Sequence, residues 1–175
     1  MMLQQLLNDQ VLDPKNPYKI HTLALEYDRL SQGAMAVSLY LKAADLSDDK
    51  LLQYKCMLGI AKCYHRQGNR RYTVEGSYLD AAAILPSRPE AYYYLCKYYE
   101  ESSNWKHCYL YAKIGLQTEE DTSYDNDYPG RKALLFYEAL SKWYITGNQE
   151  AKHMLFSLKF RTLLDDFHKE KVDRM

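Results

Sequence analysis

The chain has 175 residues, 47% of them hydrophobic, a composition that suits one folded domain with a sizeable core rather than a disordered chain. Its 23 basic and 23 acidic residues give a formal net charge of zero, which argues against binding to nucleic acid or to an anionic membrane. No apolar run approaches the roughly 20 residues needed to cross a bilayer, and the first residues lack the basic start of a signal peptide. We therefore expect a cytoplasmic protein.

The first segment, residues 1–13, is predicted to form an N-terminal helix. Its leucines are expected to share one stripe, and they are Leu3, Leu6, Leu7 and Leu12. Pro14 and Pro17 separate this helix from the next, because proline is excluded from a helix interior but tolerated in the first turn.

Four helical hairpins are predicted next, at residues 17–48, 51–86, 89–117 and 131–160. In each of them apolar residues recur at helical spacing, with large side chains facing small ones, which lets two antiparallel helices pack closely. Tyr27, Tyr64 and Tyr99 occupy equivalent positions, 37 and 35 residues apart. One hairpin of this size cannot bury its apolar faces alone, so the recurrence predicts stacked repeats.

The rest of the chain is predicted to be an acidic loop and a last helix. Residues 118–130 hold several acidic residues and no lysine or arginine, which is typical of a loop or insertion. Residues 161–171 carry apolar residues on one face and charge on the other, as a capping helix would. No period-two alternation indicates a strand. The predicted fold class is all-α, an α-solenoid of about four hairpins between terminal capping helices.

No catalytic, cofactor-binding or metal-binding residues are predicted. The four cysteines fall among apolar neighbours in predicted helices, which favours buried free thiols, and they are Cys56, Cys63, Cys96 and Cys108. No Cys-x-x-Cys or His-x-x-x-His pair is present to close a metal site, and the histidines fall on separate units. The chain is therefore predicted not to be an enzyme.

The repeated units resemble tetratricopeptide repeats (TPRs). That family has a helix-turn-helix of nominally 34 residues with Leu, a small residue and Tyr on the first helix, and Ala, an aromatic residue and Ala on the second. The first hairpin fits nearly every position, with Leu23, Ala24, Tyr27, Ala36, Tyr40 and Ala43. The second fits with a few extra residues, and the third and fourth fit more loosely. The resemblance implies a repeat fold and, more generally, protein binding.

A narrower resemblance concerns the third and fourth hairpins. The run from Arg88 to Ala112, the acidic insertion and the Trp143-Tyr144-Ile145-Thr146-Gly147 segment are similar to repeat modules attached to family-2 glycosyltransferases in bacterial and viral proteins. The transferase domain itself would need alternating strands and an Asp-x-Asp metal motif. Asp125-Asn126-Asp127 has those letters but follows no predicted strand, which favours an acidic turn.

The repeat frame predicts which residues line a concave groove, because the first helix of each unit faces it. In the first unit they are Tyr18, His21, Leu25, Asp28 and Arg29. In the second they are Lys55, Leu58, Lys62, His65 and Arg66. In the third they are Glu90, Tyr93, Lys97, Glu100 and Glu101. This set is basic in its first two units and acidic in its third, with Tyr18, Leu58 and Tyr93 as expected apolar anchors.

We therefore predict a non-catalytic scaffold that binds a protein or peptide segment in this groove. Two alternatives stay open at this point: an accessory or detached TPR module of a glycosyltransferase system, and a structural subunit of a viral or other multiprotein assembly. A homo-oligomer is compatible with each of these functions, and no partner is identified by the residues.

The all-helical prediction can be tested by circular dichroism. The far-ultraviolet spectrum should show more than about 60% helix, well above the roughly one-third of an average globular protein. A spectrum with substantial strand content would contradict the repeat architecture.

Overall fold

The computed structural model describes residues 2–119, 127–160 and 166–174. These residues form ten helices and no strand, as the predicted all-α fold class requires. The helices are α1 (Met2–Leu12), α2 (Pro17–Arg29), α3 (Gly33–Asp45), α4 (Lys50–Gln67), α5 (Arg71–Ile84), α6 (Glu90–Glu101), α7 (Trp105–Leu116), α8 (Arg131–Thr146), α9 (Gln149–Phe160) and α10 (Asp166–Asp173).

The chain forms two compact units, Met1–Pro86 and Ser87–Met175, here called unit 1 and unit 2. Unit 1 contains α1 to α5, and unit 2 contains α6 to α10. Most of the acidic loop, residues 120–126, lies outside the described residues, as do residues 161–165 at the start of the predicted capping helix. Treating residues 1–175 as a single domain stays a prediction.

Side-chain caps mark the starts of α2 and α4, the first helices of the two hairpins in unit 1. The Asn16 side chain accepts hydrogen bonds from the backbone N–H groups of Tyr18 and Lys19, and Pro17 occupies the first turn of α2. Asp49 caps α4 in the same way by accepting from the N–H of Leu51. These caps satisfy N–H groups that have no partner within the helix, so they fix where α2 and α4 begin.

The turn inside each described hairpin contains a residue with a left-handed backbone. The φ angles are 59° at Ser31, 55° at Asn69, 53° at Ser103 and 63° at Gly147. In the first and third hairpins the same two backbone bonds close the turn, from Ser31 N to Asp28 O and from Ser103 N to Glu100 O, each at 2.9 Å, followed by a bond to the carbonyl of the preceding tyrosine. The repeat is therefore visible in the backbone as well as in the side chains.

The core of unit 1 packs large rings against small residues. Ala24, Ala36, Ala43 and Tyr40, predicted from the repeat pattern, are all at most 1% exposed. A Cβ atom added at Gly59 of α4 would lie 2.7 Å from the Tyr40 ring, closer than real Cβ atoms approach other atoms. Gly59 is therefore the position that lets α3 and α4 approach each other.

The N-terminal helix α1 packs against α2, and its leucines at positions 3, 6 and 7 are half-buried. The prediction that Leu12 shares this stripe is wrong, because its side chain is 81% exposed. At about 100° per residue, the nine-residue step from Leu3 turns Leu12 to the opposite side of the helix.

Unit 2 repeats the large-on-small packing with more aromatic contacts. Tyr99 is fully buried, and its ring stacks on His107 and Tyr111 with centroids 4.9 Å and 5.7 Å away. At Gly115 an added Cβ would meet the Cβ of Tyr92 at 2.9 Å, so this glycine allows α6 and α7 to pack closely. The fourth hairpin departs from the pattern at Tyr144, whose position corresponds to Tyr99 but whose side chain is 46% exposed.

The role of Gly59 gives a stability prediction. Replacing Gly59 with Ala should lower the free energy of unfolding by about 1–3 kcal/mol, because the buried Tyr40 ring must move. The matched control is Gly76→Ala in α5, where an added Cβ meets nothing within 4 Å. That change should raise the free energy of unfolding by about 0.5–1 kcal/mol through helix propensity. Urea unfolding followed by circular dichroism measures both, and equal effects would contradict the close packing of Tyr40 on Gly59.

Candidate protein-binding surface

Helices α2 and α4 are the first helices of the two hairpins in unit 1, and they lie side by side and run parallel. Near their starts, the Tyr18 hydroxyl donates to Oδ2 of Asp49 at 3.0 Å. Near their ends, Sγ of Cys63 donates to Oδ1 of Asp28 at 3.1 Å, and Arg66 forms an ion pair with the same carboxylate. The predicted groove residues of these helices follow this line of contacts. We call them the α2–α4 face, and they are Tyr18, His21, Leu25, Asp28, Arg29, Lys55, Lys62, His65 and Arg66.

Asp28 ties the two helices together from a partly buried position. Its side chain is 16% exposed, whereas that of its ion-pair partner Arg66 is 58% exposed. Burial raises the pKa of Cys63 to about 12, and its hydrogen bond to Asp28 adds to that effect. The Cys63 thiol therefore stays protonated and donates, while Asp28 positions the Arg66 guanidinium at the surface.

The exposed part of the α2–α4 face combines apolar and basic side chains. Tyr18 is 57% exposed and Leu25 is 49% exposed. Arg29 is exposed as well, and its guanidinium donates twice, at 2.8 Å, to the buried carboxylate of Glu26. Lys55 and Lys62 are half-buried on α4. Glu26 and Asp28 are more deeply buried than the arginines with which they pair. The charge presented outward is therefore basic.

Both histidines of this face take part in packing. His21 is half-buried, with its ring centroid 5.7 Å from that of Tyr40. Burial lowers the pKa of His21 to about 4, and the positive charge of Lys55 lowers it further. His65 places Nδ1 3.2 Å from the Tyr78 hydroxyl, with the two rings edge to face. Neither ring is placed as an exposed general base.

The structure corrects the prediction for Leu58, which is 1% exposed and belongs to the core. Helix α4 packs against α3 on one side and α5 on the other, so it has two buried stripes. Leu58 shares the second stripe with Tyr54 and Ala61, at spacings of four and three residues. The exposed apolar residues of this face are Tyr18 and Leu25 instead.

Three of the five groove residues predicted in the third hairpin, which lies in unit 2, are also buried. Glu90 is fully buried and accepts from Arg88 at 2.5 Å and 3.2 Å. Tyr93 packs in a ring cluster with Tyr94, Tyr128 and Tyr137, with centroids 5.1–5.9 Å away.

The third buried residue is Glu100, whose carboxylate forms an ion pair with Lys171 of α10. Lys97 and Glu101 remain exposed. The expectation of an acidic surface made by Glu90, Glu100 and Glu101 is therefore corrected, since two of its three carboxylates are enclosed and paired.

The thiols of the chain are poorly suited to nucleophilic chemistry. All four cysteines are buried and free, as predicted. Burial raises the pKa of Cys56 to about 12 and that of Cys96 well above its usual value, so neither forms a thiolate at neutral pH.

Within the described part of the chain, no cluster of three or more His, Cys, Asp or Glu side chains is arranged to hold a metal ion. Among the described helices, none has the length and apolar character that a membrane span requires.

Comparison with known proteins supports the fold. No family model matches the sequence, and no curated protein does. A crystal structure of MamA is similar with a TM-score of 0.67 at 13% identity, covering 99% of this chain and 90% of that one. A second crystal structure of MamA gives a TM-score of 0.65 at 13% identity, with 93% and 85% covered. MamA is a TPR-like helical protein, so the likeness confirms the predicted all-α, TPR-like fold.

The buried position of His21 predicts an acid-sensitive step in stability. Its pKa is about 4 in the folded chain and about 6.5 in the unfolded chain, so between these values the unfolded state binds more protons. The contribution of His21 to the free energy of unfolding should therefore fall by about 1–3 kcal/mol as the pH is lowered from 6.5 to 4, and this contribution should not change further below pH 4. Urea titrations across this range should show the step in the wild type and in His153→Gln, an exposed control, but not in His21→Gln. A step of unchanged size in His21→Gln would place its origin elsewhere.

Proposed function

We propose that the protein is a non-catalytic interaction scaffold and that a segment of a partner protein binds on the α2–α4 face. The observation that carries this proposal is the exposure of Tyr18 and Leu25 on a face of two parallel helices that also carries the guanidinium groups of Arg29 and Arg66. Exposed aromatic and arginine side chains of this kind are typical of the residues that dominate binding energy at protein interfaces. The TPR-like fold supports the same function.

The charge of the face selects the chemistry of the partner. The four cations Lys55, Lys62, Arg29 and Arg66 outnumber the two nearby carboxylates, Glu26 and Asp28, which are paired with the two arginines. We therefore infer a partner segment with acidic residues flanking an apolar or aromatic residue. Complementary charges of this kind set the register and speed of association more than they set affinity.

The absence of catalysis is part of the same proposal. The buried, protonated thiols of Cys56, Cys63 and Cys96 and the packed rings of His21 and His65 support a structural role for the groups that would otherwise be nucleophiles or bases. On this proposal the isolated chain turns over no nucleotide sugar, and replacing its cysteines affects stability rather than partner binding.

A pull-down with matched variants tests the binding face. The first variant combines Leu25→Asp with Lys62→Glu on the α2–α4 face. The control combines Leu41→Asp with Lys42→Glu on α3, where Leu41 is 50% exposed against 49% for Leu25, so the charge change and the exposure of the leucine are matched. Each chain is immobilised, incubated with extract of the native host, and the retained proteins are identified by mass spectrometry.

We expect the wild type and the α3 control to retain the same partner and the α2–α4 variant to lose it, with circular dichroism unchanged in all three. Equal retention by both variants would move the binding site away from this face. Retention of a glycosyltransferase by the wild type would favour the accessory-module hypothesis, and recovery of the chain's own copies alone would favour the assembly-subunit hypothesis.

A further inference from the structure

In unit 2, helix α10 inserts a lysine into a site built by the end of α6 and the start of α7. Glu100, near the end of α6, forms an ion pair with Lys171, and the Lys171 ammonium also lies 5.2 Å from the ring centroid of Trp105, the first residue of α7. The Trp105 ring in turn stacks on Tyr144 of α8, with centroids 4.0 Å apart and an angle of 7° between the ring planes. We call Glu100 and Trp105 the lysine site.

The lysine site favours a cation. The Glu100 side chain is 6% exposed. Burial raises the pKa of Tyr137 on the neighbouring helix, and the charge of Glu100 and a hydrogen bond between the two side chains raise it further. A buried carboxylate that loses its ion-pair partner is strongly destabilising, because no water replaces the lost interactions in full. Departure of Lys171 would therefore leave a site that binds another ammonium or guanidinium group, with the Trp105 face contributing a cation–π contact.

Helix α10 is too short to form a stable capping helix by itself. It has eight residues, and helices this short are not stable in isolation. Of its described side chains, residues 169–173, Val172 is buried and the others are half-buried or exposed. Among these described side chains, Lys171 and Val172 are the ones that anchor the helix, one cation followed by one apolar side chain.

The surface beside the lysine site is open. A depression of about 530 Å³ adjoins Trp105 and is also lined by Tyr144 and Ile145, together with the polar residues Ser102, Ser103 and Asn104 and with Lys106. Tyr144 and Ile145 are 46% and 42% exposed, so a segment that placed a cation at Glu100 could extend over these two side chains. The site and its surroundings thus fit a longer ligand than the helix that now occupies it.

We propose that α10 is an internal ligand of unit 2, and that a partner segment carrying lysine or arginine next to an apolar residue binds the lysine site by displacing it. This inference rests on the proposed function only in that the displacing segment belongs to a protein partner. Release of α10 itself is a property of the chain alone, at a place other than the α2–α4 face.

Hydrogen exchange on the full chain tests the anchoring step. Lys171→Met removes the charge but keeps a long apolar side chain. Arg174→Met is the control directly after the end of α10, where Arg174 pairs with Glu170 of that helix. We expect amide exchange in residues 166–173 to speed up by about tenfold in Lys171→Met, as loss of one ion pair and one cation–π contact implies. Exchange should be unchanged in Arg174→Met, and α6 to α8 should stay protected in both. Equal exchange in all three chains, or an α10 without protection in the wild type, would overturn the proposal.

A synthetic peptide of residues 166–175 tests displacement. By fluorescence anisotropy it should bind the Lys171→Met chain at least about tenfold more tightly than the wild-type chain, in which the tethered helix competes at high effective concentration. A peptide carrying the Lys171→Met change should not bind either chain. Equal affinity of the unaltered peptide for both chains, or binding that does not depend on its lysine, would show that the site does not exchange ligands. Neither result depends on the pull-down that tests the α2–α4 face.

Discussion

The packing of a large ring against a residue without a side chain is the constraint on which the helical hairpins depend. Tyr40 of α3 occupies the space that a Cβ atom at Gly59 would need, and Gly115 makes the same allowance for Tyr92 and Leu134 in unit 2. Because the rings and the glycines lie on different helices, each interface joins neighbours along the chain. This explains how a protein with 18 tyrosines and only 7 glycines can be closely packed: a few glycines are placed where rings approach the backbone.

Buried and partly buried carboxylates are the second constraint, and they decide which surfaces are available. Four such carboxylates lie on the first helices of their hairpins, and each has a cationic partner. Glu26 pairs with Arg29, Asp28 with Arg66, Glu90 with Arg88 and Glu100 with Lys171. A pair of this kind adds little to stability compared with apolar packing, but breaking it is costly. The pairs of unit 1 hold their arginines at the surface, whereas Arg88 is buried with Glu90 and Lys171 is mostly enclosed with Glu100. The same type of interaction therefore presents cations in one unit and encloses anions in the other.

The positions of the helices could be read from local signals, since a proline in the first turn, an N-capping side chain and a turn residue act over a few positions. The small core residues could also be identified from the sequence, because Ala24, Ala36 and Ala43 recur at helical spacing. What failed was the outward direction of single residues. Leu58 lies at a spacing that an ideal helix would expose, but α4 is covered on two sides. Glu100 is 71 residues from Lys171 in the chain, and no local pattern reports such a contact. A repeat frame predicts which residues share a face, and it does not predict what covers that face.

The two units consequently offer different chemistry on helices of the same type. The α2–α4 face presents exposed cations with Tyr18 and Leu25, and its charges are screened by salt because they are in water. The lysine site presents a single carboxylate that is almost wholly buried, where screening is weak and the geometry of one cation matters more than the net charge of the ligand. A uniformly acidic segment suits the first and is repelled by the second. If both surfaces bind partners, the zero net charge of the chain reflects two opposite specificities rather than the absence of electrostatic recognition, and ionic strength would weaken the first much more than the second.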